Sequence, residues 1–342
     1  MSRRLVARLD DMGDVLLSGP AVRAVAASGD PVTYLAGPAG AAAAQLLPGV
    51  DEVLVFDAPW VSFEAPRVDN HALAKLVKSL ASRHIEEAFV LTSSHQSPLP
   101  LALLLRQAGI RWIGATCADF PGTLLDLRHT HQEDLHEVEQ SLDLCCAAGH
   151  RLPFGDHRRL ALNLPPAEVE GLPRPYVVVH PGASAPASAL PPRPTRAVVA
   201  ALVDAGYHVV LTGSAEDKAL VEQVTPPGLE GSVTTLTGSL GLVELAHVLR
   251  AADALVCGNT GAVHLSAAVG TPVIEAFAPV VPAHRWRPWG VAHVLLGNQD
   301  ISCAGCRAPV CPRQGQPCLD PFTAESVLAA LREVRAATEV LT

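Results

Sequence analysis

Aromatic side chains make up only 4% of this 342-residue chain, and lysine occurs at just three positions, Lys75, Lys78 and Lys218. A core with so few rings has to be assembled from Val, Leu and Ala, the composition of parallel strands covered by closely packed helices. Scarce lysine and a net charge of −9 leave no clustered cationic surface, so no nucleic-acid partner is expected. Long apolar runs are missing as well: the strongest, Pro98 to Leu105, is far below the roughly 18–20 residues of a membrane-spanning helix. The apolar stretch between Arg4 and Asp10 is too short for a signal peptide. A cytoplasmic protein with at most peripheral membrane contact is therefore expected. Also absent is a Gly-x-Gly-x-x-Gly after the first strand, which removes the usual dinucleotide fingerprint.

What is present is a strict alternation of strand and helix patterns. In the first half, strands are expected at Arg4–Leu9, Val32–Leu35, Glu52–Phe56, Ala88–Thr92 and Arg111–Gly114, separated by helical patterns around Val22–Ser28, Ala41–Leu47, His71–Arg83 and Leu99–Gln107. Pro20 predicts a first helix that starts late or kinks, because an interior proline removes a hydrogen bond and clashes with the preceding turn. A charged helix from His129 to Ala148 precedes a proline-rich stretch, Pro153 to Pro175, that reads as a linker. Beyond it the alternation restarts, with strands at Tyr176–His180, His208–Thr212, Val233–Leu236, Ala254–Cys257 and Val273–Phe277 and a last helix from Thr323 to about Ala337. The expectation is two doubly wound α/β domains, residues 1–165 and 166–342, with the last helix available to pack back on the first domain.

Three groups of residues carry chemistry. Leu9-Asp10-Asp11-Met12-Gly13-Asp14 follows the first strand, where open α/β sheets collect ligands. Asp14 is either a base or a helix cap. Near a helix start its pKa is expected to be low. In the second half, His180-Pro181-Gly182-Ala183-Ser184 leaves one buried strand, and Cys257-Gly258-Asn259-Thr260-Gly261-Ala262-Val263-His264 leaves another and runs directly into a helix. Free amides at that helix start, the Thr260 hydroxyl and His264 one turn further on form an anion site suited to a diphosphate. Finally, Cys303, Cys306, Cys311 and Cys318 lie within sixteen residues of a Gly/Pro-rich segment. Two readings stand: a structural metal site, or reduced thiols packed in a loop.

Taken in order, these segments resemble the family 9 glycosyltransferases, the ADP-heptose:lipopolysaccharide heptosyltransferases and their relatives. The resemblance runs through Arg8-Leu9-Asp10-Asp11-Met12-Gly13-Asp14-Val15, His180-Pro181-Gly182-Ala183-Ser184 with Leu190-Pro191-Pro192, Gly258 to Ala268, Thr271-Pro272-Val273-Ile274 to Pro279, and the cysteine-bearing tail. It implies a GT-B fold, two Rossmann-like domains facing a cleft, with acceptor on the N-terminal domain and nucleotide sugar on the C-terminal one. It further implies an inverting transfer that needs no cofactor or metal. Asp14 then stands at the catalytic base, with Asp10, Asp11 and Gly13 around the acceptor. Ala183, Ser184, Ser188, Asn259, Thr260, Gly261 and His264 fall at the donor, an ADP-heptose-like nucleoside-diphosphate sugar, and the acceptor is a cell-envelope glycan or small metabolite. Two positions depart from the family pattern. Ser188 replaces a cationic residue, with Arg193 and Arg196 as nearby substitutes, and Asn259 stands where Asp is frequent. Competing readings are a GT-B nucleotide-sugar epimerase and a non-catalytic protein that binds a nucleotide sugar or a metal.

Overall fold

The computed structural model describes residues 3–61, 66–93, 95–166 and 171–341. It divides into two compact units, Met1–Asn163 and Leu164–Thr342. Residues 167–170 of the expected linker lie outside the described residues.

The first unit runs β1 (Arg3–Arg8), α1 (Met12–Leu17), α2 (Gly19–Ala26), β2 (Val32–Ala36), α3 (Ala41–Ala44), β3 (Glu52–Val55), α4 (Asn70–Ala81), β4 (Ile85–Val90), α5 (Leu99–Gln107), β5 (Trp112–Thr116), β6 (Leu127–His129) and α6 (Glu137–Ala147). Its six strands are all parallel, in the order β3-β2-β1-β4-β5-β6. Every residue of β2 is buried, as a central strand covered on both faces requires. The core is aliphatic, built on Leu5, Ala7, Leu35, Leu80, Val90, Leu101 and Ile113.

The second unit runs β7 (Tyr176–His180), α7 (Pro192–Asp204), β8 (His208–Leu211), α8 (Lys218–Val224), β9 (Val233–Thr235), α9 (Leu242–Arg250), β10 (Ala254–Cys257), α10 (Gly261–Val269), β11 (Val273–Ala276), α11 (Ala283–Trp286), β12 (His293–Leu296) and α12 (Ala324–Leu341). Its sheet order, β12-β11-β10-β7-β8-β9, repeats that of the first, again all parallel. Helix α12 packs on α7 and against β11 and β12 of its own unit. No helix of the described residues is long and apolar enough to cross a membrane.

The expected interruption of the first helix is present, and two other expectations change. The first helix breaks into α1 and α2 at Ser18, whose hydroxyl bonds the Val15 carbonyl and the Tyr34 hydroxyl, and Pro20 falls in the first turn of α2, where its missing N–H is harmless. The charged segment from His129 is not helical at its start. His129 ends a short edge strand, β6, and the helix begins only at Glu137, capped by the His136 ring. Strand β12 was not anticipated either, because it is a four-residue edge strand that is half-buried throughout.

In both sheets the first strand lies between the second and the fourth. Successive connections leave it in opposite directions, which opens a crevice at its carboxyl end. The β1/β4 crevice receives Leu9–Asp14, and the β7/β10 crevice receives His180–Ser188 and Gly258–Gly261.

Candidate functional site

In the first unit the site is organised by a residue that sequence patterns did not single out. Arg8, the last residue of β1, is 2% exposed. Its Nε meets Asp10 Oδ2 at 2.5 Å, its Nη2 meets Asp14 Oδ1 at 2.6 Å and donates to Ser93 Oγ at 2.8 Å, and its Nη1 faces Glu137 Oε2 at 3.6 Å. Asp10 also accepts a hydrogen bond from Gln96, so its carboxylate is committed to the site's framework. Gly13 is buried in α1, whereas Asp11 stands exposed at the N-cap position without a side-chain cap bond.

Asp14 is therefore no helix cap. Its carboxyl is 24% exposed, and its pKa is pushed up from 3.8 to about 7. Burial is the largest cause; Arg8 opposes it, while Asp10, Glu137 and Asp11 add to it. The low value expected from the helix start is overturned, since desolvation outweighs the dipole of a helix of only six residues. Arg8 itself is held charged, the three carboxylates more than compensating for burial.

In the second unit two loops interlock. The Asn259 amide N–H bonds the Ser188 carbonyl at 3.0 Å, and the Leu190 N–H bonds the Pro181 carbonyl at 2.9 Å. The Asn259 side chain clamps Ala278 from both sides, donating to its carbonyl at 3.0 Å and accepting from its N–H at 2.8 Å. Asn259 thus positions the loop, with its amide already engaged. Ser188 is buried in the 3-10 turn Pro186–Ser188 and serves through its carbonyl. Gly258 is obligatory for steric reasons, since a Cβ there would lie 2.1 Å from the backbone carbonyl oxygen of Ser188; at Gly182 a Cβ would lie 2.3 Å from the Asp217 carboxylate, the end of a side chain that can turn aside.

Thr260 is the N-cap of α10 in extended conformation, and its side chain makes no cap bond. The hydroxyl and the first amides of α10 converge there, and His264 sits buried one turn in. His180, at the end of β7, bonds Thr212 Oγ1 at 3.0 Å and is held neutral, burial depressing its pKa against the pull of Asp217. A cavity of about 570 Å³ lies beside this loop pair, bounded by Gly182, Ala183, Leu190, Asp217, Leu220, Arg313 and Gln316. Ser184 is exposed next to Ala183. Of the cations considered as replacements at Ser188, Arg196 donates to the Gln223 carbonyl at 2.6 Å and Arg193 is exposed. The cavity wall instead carries Arg313, from the cysteine-rich segment.

Cys303, Cys306, Cys311 and Cys318 line one small cavity of about 50 Å³ together with Ala187, Pro279 and Val280. All four are free thiols, and among the described residues no three His, Cys, Asp or Glu side chains are grouped as metal ligands. The segment is tied to the donor-side loop by Ala187 N–H to the Pro309 carbonyl at 3.0 Å and by Gln316 Nε2 to the Ala187 carbonyl at 2.5 Å.

Two parallel sheets of identical winding, each with its motif loops at the switch point, define the GT-B class of fold. The chain belongs to glycosyltransferase family 9, the heptosyltransferase family, whose model matches residues 73–316. It is 30% identical over 115 residues to a lipooligosaccharide heptosyltransferase 2 of Haemophilus influenzae, a match covering 32% of this chain and about a third (33%) of that protein. An Escherichia coli ADP-heptose LPS heptosyltransferase II superposes with a TM-score of 0.75 at 20% identity, over 99% of this chain and 100% of the other. The E. coli heptosyltransferase WaaC, solved with ADP-2-deoxy-2-fluoro heptose, gives 0.71 at 19% identity over 97% and 99%.

The interlocked loops set a clear expectation. Gly258→Ala forces a methyl into the Ser188 carbonyl and should destabilise the second unit by about 1–3 kcal/mol. Gly231→Ala, where a Cβ meets nothing within 4 Å, should change stability by less than about 0.5 kcal/mol. Chemical denaturation of both variants checks the contrast, and equal stabilities would contradict the loop contact.

Proposed function

We propose that the chain is an inverting glycosyltransferase that moves a sugar, heptose or a close relative, from a nucleoside diphosphate to a hydroxyl of a cell-envelope glycan or small metabolite. The observation that carries this reading is Asp14. It is a partly buried carboxyl at the β1/β4 switch point whose pKa of about 7 suits a base working near neutral pH. The acceptor oxygen bonds to the anomeric carbon as the bond from that carbon to the diphosphate breaks, and the acceptor proton passes to Asp14. The electron pair leaves on the diphosphate. Its growing charge is met by the α10 amides and the Thr260 hydroxyl, fixed dipoles that need no reorganisation as the bond breaks. The ADP-sugar analogue held by WaaC supports an ADP-heptose-like donor.

Three outcomes are expected. Asp14→Asn keeps size and much of the hydrogen bonding but cannot take the proton, so kcat should fall on the order of 10²–10⁴ with donor affinity little changed. In the wild type, activity requires the ionised carboxylate, so kcat/KM should rise with pH through about 7 and level off above it. A near-normal kcat in Asp14→Asn would remove the base assignment, and sugar release without any acceptor would favour an epimerase instead.

The donor site is tested separately. Thr260→Val removes the hydroxyl and Gly261→Pro removes the first amide at a position where proline fits a helix. Calorimetric titration with a nucleoside diphosphate should show weaker binding in both, and an unchanged dissociation constant in folded Gly261→Pro would rule out this placement of the diphosphate.

A third measurement concerns metals. Dipoles and hydroxyls, rather than a divalent ion, are assigned to the leaving group, so turnover should survive EDTA. Loss of turnover restored by Mg²⁺ or Mn²⁺ would overturn the metal-independent mechanism. A structural ion among Cys303, Cys306, Cys311 and Cys318 would reveal itself differently, as slow unfolding under chelation and as stoichiometric metal in freshly purified protein.

A further inference from the structure

Arg8 takes no part in the transfer just described, yet its guanidinium is shared among three acidic partners. We propose that Arg8 is a positioning residue for the base, fixing the Asp14 carboxylate through Oδ1 while its single charge is divided with Asp10 and with Glu137 of α6. The inference rests on the reading of Asp14 as base.

The geometry carries it. Arg8 engages only Oδ1 of Asp14, and Oδ2 has no partner among the described residues, so one carboxylate oxygen is held while the other remains to accept a proton. A guanidinium can do this because its nitrogens lie in one rigid plane: Nη2 donates to Asp14 and Ser93, Nη1 faces Glu137, and Nε lies against the Asp10 carboxylate as a charge contact without a hydrogen bond. Lysine gathers its three donors on one rotatable nitrogen and cannot reproduce the wide, fixed spread of that plane. The position of the plane is itself fixed, since Arg8 ends a buried strand and Gln96 anchors Asp10 from the β4 side.

Charge arithmetic adds the second half. One cation facing Asp10, Asp14 and Glu137 leaves an excess of negative charge in a region where Arg8 and Glu137 are each only 2% exposed. Among the described residues, further titratable groups that act on Asp14 or Arg8 are Asp11, on the loop before α1, and Tyr34 of β2, whose hydroxyl burial holds neutral. Ser93 and Gln96, after β4, bring no charge. Burial first, and the excess negative charge in addition to it, keeps a proton on the most exposed Arg8 partner, Asp14, until the pH approaches neutrality. Glu137, far from Asp14 in sequence, thereby influences where the base becomes active.

The test compares pH–rate profiles of Glu137→Gln and Arg8→Lys with wild type, after circular dichroism and thermal melts establish folding. Glu137→Gln removes one negative charge, so the acid limb of kcat/KM should move to lower pH by about half a unit or more. Arg8→Lys keeps the charge but loses the planar grip, so kcat should fall roughly 10-fold or more with donor KM unchanged. A purely structural role would lower the melting temperature and leave both the limb and the ratio of kcat to KM in place. If Asp14→Asn is inactive while folded Glu137→Gln superposes on the wild-type profile, the inference fails and the base assignment stands. If Asp14→Asn is near-normal, the base assignment itself has failed. Should Arg8→Lys not fold, Glu137→Gln alone decides.

Discussion

In each unit the chain reverses its direction of winding once, between its first and fourth strands, and nearly everything of chemical interest follows from that reversal. Helices that leave in opposite directions cannot close over the carboxyl ends of β1 and β4 or of β7 and β10, so the loops there have backbone groups to offer a ligand. The same reversal crowds two loops together. Arg8–Asp14 meets Ser93 and Gln96 in the first unit, and Pro181–Leu190 meets Gly258–Asn259 in the second. Crowding of this kind is tolerated only where a side chain is missing, which explains Gly258 beneath the Ser188 carbonyl. It also explains why Asn259 spends its amide on Ala278: the loop feeding α10 is held from both neighbours.

The two crevices then diverge in chemistry. That of the first unit is ionic, with carboxylates gathered round a single buried guanidinium. That of the second is built mainly from dipoles, with amides at the start of α10, a hydroxyl and a neutral imidazole at His180, and with the Asp217 carboxylate beside them. This division fits a chain with three lysines, because a helix start binds an anion without a cationic side chain. The turn around Ser188 is buried and serves as a backbone brace, while a cation, Arg313, enters the adjacent cavity from the cysteine-rich segment. That segment owes its place to backbone bonds at Ala187 as much as to its thiols.

How much of this was legible in the sequence depends on how local each feature is. Central strands such as Val177–Val179 and Ala254–Cys257 announce themselves because burial on both faces demands an unbroken apolar run, and their loops follow by position. The edge strands β6 and β12 do not, since three or four half-exposed residues carry no period to read. Likewise the break at Ser18 depends on Tyr34, a tertiary partner sixteen residues away in sequence. Spacing after β1 marked Asp14 as either a base or a helix cap, and the family resemblance implied the base, but neither pointed to its partners. Arg8 looks like the polar end of a strand and Glu137 like an ordinary first-turn acid on a surface helix, and only the fold brings them together.

Asp14 shows why the local argument also mispredicts electrostatics. A helix start stabilises a carboxylate by about 0.3–1 kcal/mol, and that is all the sequence can report. Removing the same carboxylate from water costs several kcal/mol unless good partners compensate. Here the one strong partner, Arg8, is shared with Asp10 and Glu137, so its compensation is divided while the cost is not. The larger effect wins, and the carboxyl holds its proton close to neutrality. Had Arg8 served Asp14 alone, the pair would have been a stable ion pair of low basicity, well suited to bracing a loop and poorly suited to accepting a proton. Burial, reinforced by the competing carboxylates, therefore lifts the Asp14 carboxyl out of the range of a simple structural salt bridge.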